Sequence, residues 1–366
     1  MRILLINPWE GEVFPTPAIG YLQAALKWQG EDVTAVDLSG AFKDKDYDIV
    51  AVTFHSFSVK HAQRIREYYP GRLICGGHHP SALPDQMLSI GYDQVIIGEG
   101  ENAIEDVIKG NTSNKVIGQI SDINSIPVPD YTGLKFTGEM GMPVISSRGC
   151  PFTCSFCASQ HFWDRKYRTR SSDSVLNELS HWIGKGFRTW MFEDDNFTIQ
   201  KDRVRDICAG ITEMGKFSWQ CASRAETMQD EDIVRTLSMA GCKTVWLGIE
   251  SFSQGSLDRC NKKTTVDKMI TGINTLRKYG ISPRCQFIIG LPGDTLEDIN
   301  ETARVIKKHN IPAGGNVLWI LPGTEAYYKA KMKGFSDSTY LESGAPFYTY
   351  EQSMNTLQYW NQLIRN

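Results

Sequence analysis

The first third of the chain alternates short apolar runs with amphipathic segments. Apolar runs of this length are typical of buried strands, and an apolar residue at every third or fourth position is typical of a helix. The runs predict strands at 2–7, 32–37, 49–53, 72–75 and 94–97. The amphipathic segments predict helices at 17–29, 60–69 and 101–109. Strand and helix in turn predict a parallel sheet wound on both faces, a Rossmann-like α/β domain.

The alternation stops between residues 111 and 142. This stretch contains the segment IPVPDY, where Pro127 and Pro129 suit neither a helix nor a central strand. It is therefore predicted to link two domains.

A second alternation follows the linker and predicts strands at 143–147, 189–192, 219–223, 244–248, 286–289 and 316–320. The helix predicted at 172–185 has the clearest period. Because an eight-stranded barrel needs about 250 residues, we predict six units, a partial (β/α)6 TIM-type barrel. The predicted domains are 1–115, a linker at 116–142, the barrel at 143–333 and a short helical segment at 334–366.

Composition and charge narrow the function. The 366 residues include 39 basic and 42 acidic side chains, a net charge of -3, without a long run of either sign, so nucleic acid is not an expected partner. The longest apolar stretches are far shorter than the roughly 20 residues that cross a membrane. The start, MRILLINP, lacks the regions of a signal peptide. We expect a cytoplasmic protein, and nine cysteines in a reducing compartment suggest thiolates that bind metal.

Three of those cysteines form a cluster, Cys150, Cys154 and Cys157 in SSRGCPFTCSFCASQ, on the loop after the first predicted barrel strand. Catalytic residues of such barrels lie on these loops. Thiolates at this density bind soft metals, either an iron-sulfur cluster or zinc. His161 could complete a closed Cys3His zinc site. A cubane held by three cysteines instead leaves one iron open.

The spacing CxxxCxxC, with Phe156 before the last cysteine, resembles the radical S-adenosylmethionine superfamily. Downstream segments follow the order of its cobalamin-dependent branch, whose class B members are methyltransferases. These segments are FEDDNF at 192–197, SWQCASR at 218–224, LGIES at 247–251, IIGLPGDT at 288–295 and LPGT at 321–324. The resemblance implies a 4Fe-4S cluster on the three cysteines and S-adenosylmethionine on the open iron.

The same resemblance implies contacts to S-adenosylmethionine. It places Asp194, Asp195 and Asn196 at the amino group, Ser223 and Arg224 at the carboxylate or ribose, Glu250 at the ribose, and Phe156, Gly290 and Leu291 near adenine. Simpler explanations exist for some of these residues. Arg224 and Glu250 could pair inside the barrel, because buried charges are usually partnered, and Gly290 could serve only a turn.

The first domain, roughly residues 1–115, resembles the cobalamin-binding domain of that branch. The matching segments are PTPAIGYLQAAL at 15–26, AVTFHSFS at 51–58, ICGGHHPSALP at 74–84 and IGEGE at 97–101. The resemblance implies cobalamin contacts from Thr53, His55, Gly76, Gly77, His78, Gly98 and Glu99.

One departure concerns the cobalt. Many cobalamin proteins carry DxHxxG after the first strand, and this chain has NPWEGE there, without the histidine that ligates cobalt. His55, His78 and His79 lie on other predicted loops, where a histidine is more often solvated or hydrogen-bonded. The domain could also have kept its fold and lost the cofactor.

The implied reaction is reductive cleavage of S-adenosylmethionine to a 5'-deoxyadenosyl radical, then methylation of an unactivated carbon by way of cobalamin. The alternative is a rearrangement or cyclisation without methyl transfer, and a non-enzymatic alternative makes the cysteine loop a zinc staple. The expected partners are a small-molecule or short peptide substrate and a flavodoxin or ferredoxin, with the protein a monomer.

Two further groups of residues complete the expectations. Cys75, Cys208, Cys221, Cys242, Cys260 and Cys285 are scattered singly and are expected to be small buried residues. Four side chains could line the barrel lumen, namely Trp190, Trp246, Gln286 and Trp319, although strand aromatics are more often core.

Overall fold

The structure is a computed structural model that describes residues 1–8, 16–134 and 141–365. The chain divides into two compact units. One comprises Met1–Glu139, Leu321–Gly323 and Gly334–Pro346, and the other comprises Met140–Ile320, Thr324–Lys333 and Phe347–Asn366.

The first unit is built on a six-stranded parallel sheet. Its strands are β1 (Arg2–Asn7), β2 (Asp32–Asp37), β3 (Ile49–Thr53), β4 (Arg72–Gly76), β5 (Gln94–Gly98) and β6 (Lys115–Gly118). They lie in the order β2-β1-β3-β4-β5-β6, which confirms the doubly wound fold. The edge strand β6 was not predicted, because alternate residues Lys115 and Ile117 are exposed and the run is only four residues long.

Five helices of the first unit are α1 (Pro17–Trp28), α2 (Val59–Tyr68), α3 (His78–Ala82), α4 (Pro84–Ser89) and α5 (Gly100–Ile108). Apolar residues of the strands, such as Ile3 and Ile74, pack with Ile19 and Leu26 of α1 in one buried cluster. The short helices α3 and α4 were not predicted, because a helix of one or two turns is too short to show a hydrophobic period.

The second unit carries the strands β7 (Met142–Val144), β8 (Ser147–Arg148), β9 (Arg168–Thr169), β10 (Thr189–Phe192), β11 (Ser218–Arg224), β12 (Cys242–Glu250), β13 (Ser282–Ile289) and β14 (Ala313–Val317). Six of them form a parallel sheet in the order β14-β13-β12-β11-β10-β7, which confirms the predicted six-unit barrel. The predicted strand at 143–147 is instead two strands, because β8 pairs with β9 in a separate antiparallel ribbon.

The helices that follow these strands are α6 (Ser159–Phe162), α7 (Ser172–Gly184), α8 (Lys201–Met214), α9 (Glu231–Met239), α10 (Gln254–Arg259), α11 (Val266–Lys278), α12 (Leu296–Lys308) and α13 (Glu325–Met332). Several begin at a side-chain cap. Ser171 caps α7, and Thr295 with Asp298 forms a capping box on α12, so both starts are fixed by local chemistry.

The last part of the chain is shared between the units. Helix α14 (Ser338–Ser343) packs on α2 within the first unit. Helix α15 (Met354–Arg365) packs on β14 and α12 within the second and buries Leu357, Trp360 and Ile364. Among the described residues no helix has the length and apolar character to cross a membrane.

Candidate active site

The three clustered cysteines lie in the loop between β8 and α6. Cys154 is 7% exposed, Cys150 and Cys157 are half-buried, and all three thiols are free of disulfides. Burial raises the pKa of Cys150 and raises that of Cys157 to about 12, so both are protonated near neutral pH. A bound metal displaces such protons, so the loop is suited to a metal and not to a free nucleophile.

Two carboxylates hold the start of this loop. Asp194 accepts the backbone N–H of Ser146 at 2.7 Å and the hydroxyls of Ser146 and Ser147 at 2.6 Å each. Asp195 accepts the backbone N–H of Gly149 at 3.0 Å. Gly149 has φ +86, and a Cβ there would lie 1.9 Å from the Lys166 carbonyl oxygen, so only glycine fits.

The middle of the loop is held by the segment after α10. The Asn261 side-chain amide donates to the Thr153 carbonyl at 2.8 Å and to its hydroxyl at 2.7 Å. The backbone N–H of Ser155 donates to the Cys260 carbonyl at 3.0 Å. The cysteines are therefore positioned by backbone contacts from elements distant in sequence.

Arg224, at the end of β11, lies against the cysteine loop. Its Nη1 lies 3.6 Å from the Cys154 sulfur, and its guanidinium lies 4.0 Å from the centre of the Phe152 ring. It also donates to Glu226 and to the Lys262 carbonyl. The suggested pairing of Arg224 with Glu250 is therefore wrong.

Glu250 pairs with Lys262 instead, at 2.8 Å, and the two side chains are 7% and 4% exposed. Burial opposes the lysine charge, but the Glu250 carboxylate and Cys154 outweigh it and raise the pKa of Lys262. Gly248 makes room for the pair, since a Cβ there would lie 2.7 Å from Glu250 Oε1. Sequence reasoning missed Lys262, because nothing in the polar run NKKTT separates it from the exposed Lys263.

The remaining predicted contacts of this unit fall into two groups. Phe156 is half-buried, with the Lys262 ammonium 5.9 Å from its ring centre, so it lies beside the cluster loop. Asn196 is 2% exposed, and the Ser223 hydroxyl is hydrogen-bonded to Thr198. These last two side chains are engaged inside the protein.

Gly290 and Leu291 form the turn after β13. Gly290 has φ +81, and a Cβ there would lie 2.5 Å from Cδ2 of Leu357. The Leu291 N–H donates to Asp294 at 3.1 Å. The turn alone thus accounts for a glycine at this position.

The donor set of the loop suits an iron-sulfur cubane, in which each thiolate binds a separate iron. Three thiols lie within eight residues, and Arg224 and Lys262 offset the negative charge of bound thiolates. Within the described part of the chain no three His, Cys, Asp or Glu side chains converge on a single metal position, and His161 is exposed. The Cys3His zinc site is therefore not assembled.

In the first unit, the predicted cobalamin contacts lie at the carboxyl ends of β3, β4 and β5. Gly77 has φ +99, and a Cβ there would lie 2.7 Å from the Phe54 carbonyl oxygen. Glu99 is 6% exposed and accepts the Ile120 N–H at 2.8 Å. Internal packing thus explains Gly77, and it also explains Gly98, which has φ +90 and where a Cβ would lie 2.6 Å from the Gly118 carbonyl oxygen. Thr53 and Gly76 remain half-buried at the edge of the sheet.

The histidines of this edge separate into two kinds. His55 and His78 lie together, with ring centres 4.6 Å apart. His79 is fully buried, and its two ring nitrogens contact Ser56 at 2.9 Å and Gln86 at 2.8 Å. His79 therefore has no nitrogen left for cobalt. Most of the NPWEGE segment after β1, and Pro15, lie outside the described residues.

Comparison with known families gives two matches. Residues 144–306 match the radical SAM superfamily, and residues 11–108 match the B12 binding domain. The two matches follow one another along the chain in the order expected from the motifs.

Curated relatives span both regions. The chain is 30% identical to an uncharacterized methyltransferase, PH0819, of Pyrococcus horikoshii, over 89% of the chain and 82% of that protein. It is 26% identical to bacteriochlorophyllide d C-8(2)-methyltransferase of Chlorobaculum tepidum, over 80% and 70%. It is 27% identical to anaerobic magnesium-protoporphyrin IX monomethyl ester cyclase of Cereibacter sphaeroides, over 83% and 59%.

Among solved structures, the radical S-adenosylmethionine methyltransferase TsrM of Kitasatospora setae, with cobalamin and a 4Fe-4S cluster bound, superposes with a TM-score of 0.70. The identity is 17%, over 88% of this chain and 76% of that one, so this match shows the fold. Together with the family matches and the relative from Pyrococcus horikoshii, it shows that the chain belongs to the radical SAM superfamily, in the branch that carries a B12-binding domain.

Proposed function

We propose that this enzyme is a cobalamin-dependent C-methyltransferase that methylates an unactivated carbon of a small molecule. The observation that carries the proposal is the presence, in one chain, of a B12-binding domain and a radical SAM domain with three free, clustered cysteines. Two of the relatives compared are named methyltransferases, which supports methyl transfer as the outcome.

The bound cluster would supply the electron that cleaves S-adenosylmethionine, and bound cobalamin would supply the methyl group. The protein's own residues would hold these groups and offset the negative charge of the cluster. Cys150, Cys154 and Cys157 bind iron, while Arg224 and Lys262 place two cations beside Cys154.

S-adenosylmethionine would be held by charged and aromatic side chains beside the cluster loop. The Asp195 carboxylate is exposed and contacts Gly149, Ser159 and Trp163, so it would present a fixed negative charge to an ammonium group. Asp194 is spent on Ser146 and Ser147, so we assign it to positioning the cluster loop. Phe156 would lie against the nucleoside.

The family background supports several further expectations. A one-electron donor such as flavodoxin or ferredoxin would reduce the cluster. We also propose a monomer that works in the cytoplasm, since nine free thiols suit a reducing compartment.

The products separate methylation from its alternative. Anaerobically reconstituted protein, given S-adenosylmethionine, cobalamin, reductant and a fractionated extract of small molecules, should form S-adenosylhomocysteine together with 5'-deoxyadenosine. Deoxyadenosine without S-adenosylhomocysteine would favour a cyclisation, the activity named for the Cereibacter sphaeroides relative. Cys154→Ala should form neither product, which controls for contaminating enzymes.

A further inference from the structure

The inner face of the barrel sheet carries polar side chains that the fold does not use. In β13, Pro283, Cys285 and Phe287 are buried on the helix-covered face. Arg284 and Gln286 alternate with them and therefore face inward, Arg284 exposed and Gln286 half-buried. Neither side chain has a hydrogen bond or ion pair with any residue that the structure describes.

Several arginines of this unit pair with carboxylates. Arg170 pairs with Glu178, Arg224 with Glu226, and Arg259 with Asp294 and Asp298. These pairs hold elements together. A guanidinium on the inside of the strand with all its donors unused is available to a ligand.

The strand next to Arg284 supplies a flat apolar surface. Trp246 of β12 lies directly beside Arg284 in the sheet register. The indole N–H of Trp246 donates to Gln220 Oε1 at 2.9 Å, which fixes the orientation of the ring. Adjacent strands lie about 4.8 Å apart, so one small molecule can reach both the guanidinium and the indole.

The next strand adds a further polar group. Asn316 of β14 lies beside Ile288 in the register and is exposed on the same inner face. It too has no hydrogen bond to a described residue. The Gln286 amide, two residues from Arg284, thus adds donors near the cation, and the Asn316 amide adds donors about 13 Å further along the strand direction, towards the carboxyl edge.

Charge on this face is asymmetric. Glu193, just after β10, is exposed and unpaired with respect to the described residues. Three strand spacings, roughly 14 Å along the sheet, separate β10 from β13, so Glu193 and Arg284 cannot form a direct pair. A negative group on a ligand is therefore favoured at Arg284 and disfavoured at Glu193.

We propose that the inner face selects an anionic substrate, whose oxyanion binds Arg284 and whose flat apolar body lies on Trp246. The planar guanidinium suits a carboxylate or a phosphate bidentately. Arg284 lies five residues before the end of β13, about 17 Å of strand. The substrate thus extends from its anionic end towards the carboxyl edge, where the cysteine loop lies. This inference depends on the proposed function in one respect: the molecule bound at Arg284 is taken to be the substrate that the enzyme modifies.

Binding of simple probes tests the site without turnover. Reconstituted holoenzyme is titrated by calorimetry with 2-naphthoate, 2-naphthyl phosphate and the neutral 2-naphthamide. At least one anion should bind more tightly than the amide, and Arg284→Gln should weaken that anion about tenfold or more, since about 1.4 kcal/mol is tenfold. Arg304→Gln is the matched control, because Arg304 is exposed on α12 and also lacks a described partner.

A labelling experiment provides a second measurement. Phenylglyoxal should modify both Arg284 and Arg304, and the tighter-binding anion should protect Arg284 alone. The ranking of the two anions distinguishes a carboxylate from a phosphate substrate. Equal binding of anion and amide, no binding of either anion, or unchanged anion affinity in Arg284→Gln would each overturn the site. Product analysis is independent, so a missing S-adenosylhomocysteine signal would contradict methylation and leave the anion site standing.

Discussion

The Lys262 ammonium donates to the Glu250 carboxylate across 2.8 Å, at the point where β12 ends beside the cysteine loop. Glu250 has φ +66, a left-handed conformation that a non-glycine residue rarely adopts. A β-bulge at Gly248 and Glu250 accompanies it. The ion pair therefore holds a strained strand end in place, and the Lys262 carbonyl accepts from Arg224, which contacts Cys154.

Removing the lysine charge should destabilise the second unit. In Lys262→Met, Glu250 becomes a buried carboxylate without its cation, which costs roughly 3–5 kcal/mol of unfolding free energy. Urea unfolding followed by the fluorescence of the buried Trp190 and Trp219 measures the loss. The double variant Lys262→Met with Glu250→Gln should recover most of it, because no charge is then buried. A double variant no more stable than the single one would show that the pair is not the cause.

Two neighbouring carboxylates should respond differently to the same substitution. Asp194 accepts three hydrogen bonds, and an amide in its place would present N–H to a donor, so Asp194→Asn should cost about 2–3 kcal/mol of unfolding free energy. Asp195→Asn keeps an acceptor for the Gly149 N–H and should cost less than about 1 kcal/mol. Urea unfolding and iron analysis after reconstitution compare the two. Equal losses would argue against Asp194 as the support of the loop.

Hydrophobic periodicity was sufficient for most of the fold. The buried apolar runs gave β1, β2, β3 and β10 with their observed bounds, because their interior faces contact helices. Strand β13 begins four residues earlier than predicted, at Ser282. Its first residues alternate between buried and exposed, as Pro283 and Arg284 do, so no apolar run marks the start of the strand in the sequence. The prediction failed where one face of the sheet is polar.

The lumen shows the same limitation. Trp246 and Gln286 lie on the inner face as expected. The prediction that Trp190 lines the lumen is wrong, since Trp190 is 1% exposed and packs against Phe217 on the helix-covered face. Trp319 packs against Phe347, with ring centres 3.9 Å apart. A strand's period says that residues alternate, but not which face meets the helices.

The site itself was predictable where chemistry is local in sequence. The cysteine spacing is a short motif, and the structure brings Arg224 to Cys154 from a segment that the resemblance also marked. Lys262 and Asn261 contribute through tertiary contacts from a polar loop, where burial has no sequence signature. Residues that act through such tertiary contacts can be identified only in the folded structure.

The first unit should lose stability in mild acid because of His79. Burial lowers the pKa of His79 to about 4, against the opposing contact with Gln86, so the folded state keeps the ring neutral. The unfolded chain binds a proton below its ordinary pKa of 6.5. The stabilising contribution is therefore present above pH 6.5 and is lost as pH falls towards 4, by roughly 3 kcal/mol in all. Burial and the neighbouring His55 lower the pKa of His78 as well, which acts in the same direction.

Hydrogen exchange of peptides from β3 and β4, corrected for the intrinsic rate at each pH, measures this slope. His79→Gln should be less stable at pH 7 but flatter between pH 6.5 and 4. Ser56→Ala removes the 2.9 Å contact to Nδ1 and keeps the imidazole, so it should retain most of the slope. An unchanged slope in His79→Gln would assign the acid sensitivity to other groups.

Substitution of a loop cysteine and of a cysteine outside the loop should have different effects on the iron content. Cys154→Ala removes a cluster ligand and should abolish the brown colour and most bound iron after anaerobic reconstitution. Cys285→Ala removes a buried thiol of β13 that is 2% exposed and outside the loop, and should leave iron content unchanged. Absorption near 400 nm and iron analysis distinguish the variants. Equal iron in both would show that the loop does not hold the cluster.

Three cysteine ligands would leave one iron of the cluster open for S-adenosylmethionine. Electron paramagnetic resonance of the reduced, reconstituted protein tests it most directly, with and without S-adenosylmethionine. We expect the signal of a 4Fe-4S cluster whose shape changes when S-adenosylmethionine is added. Absence of such a signal, or one that S-adenosylmethionine leaves unaltered, would contradict it.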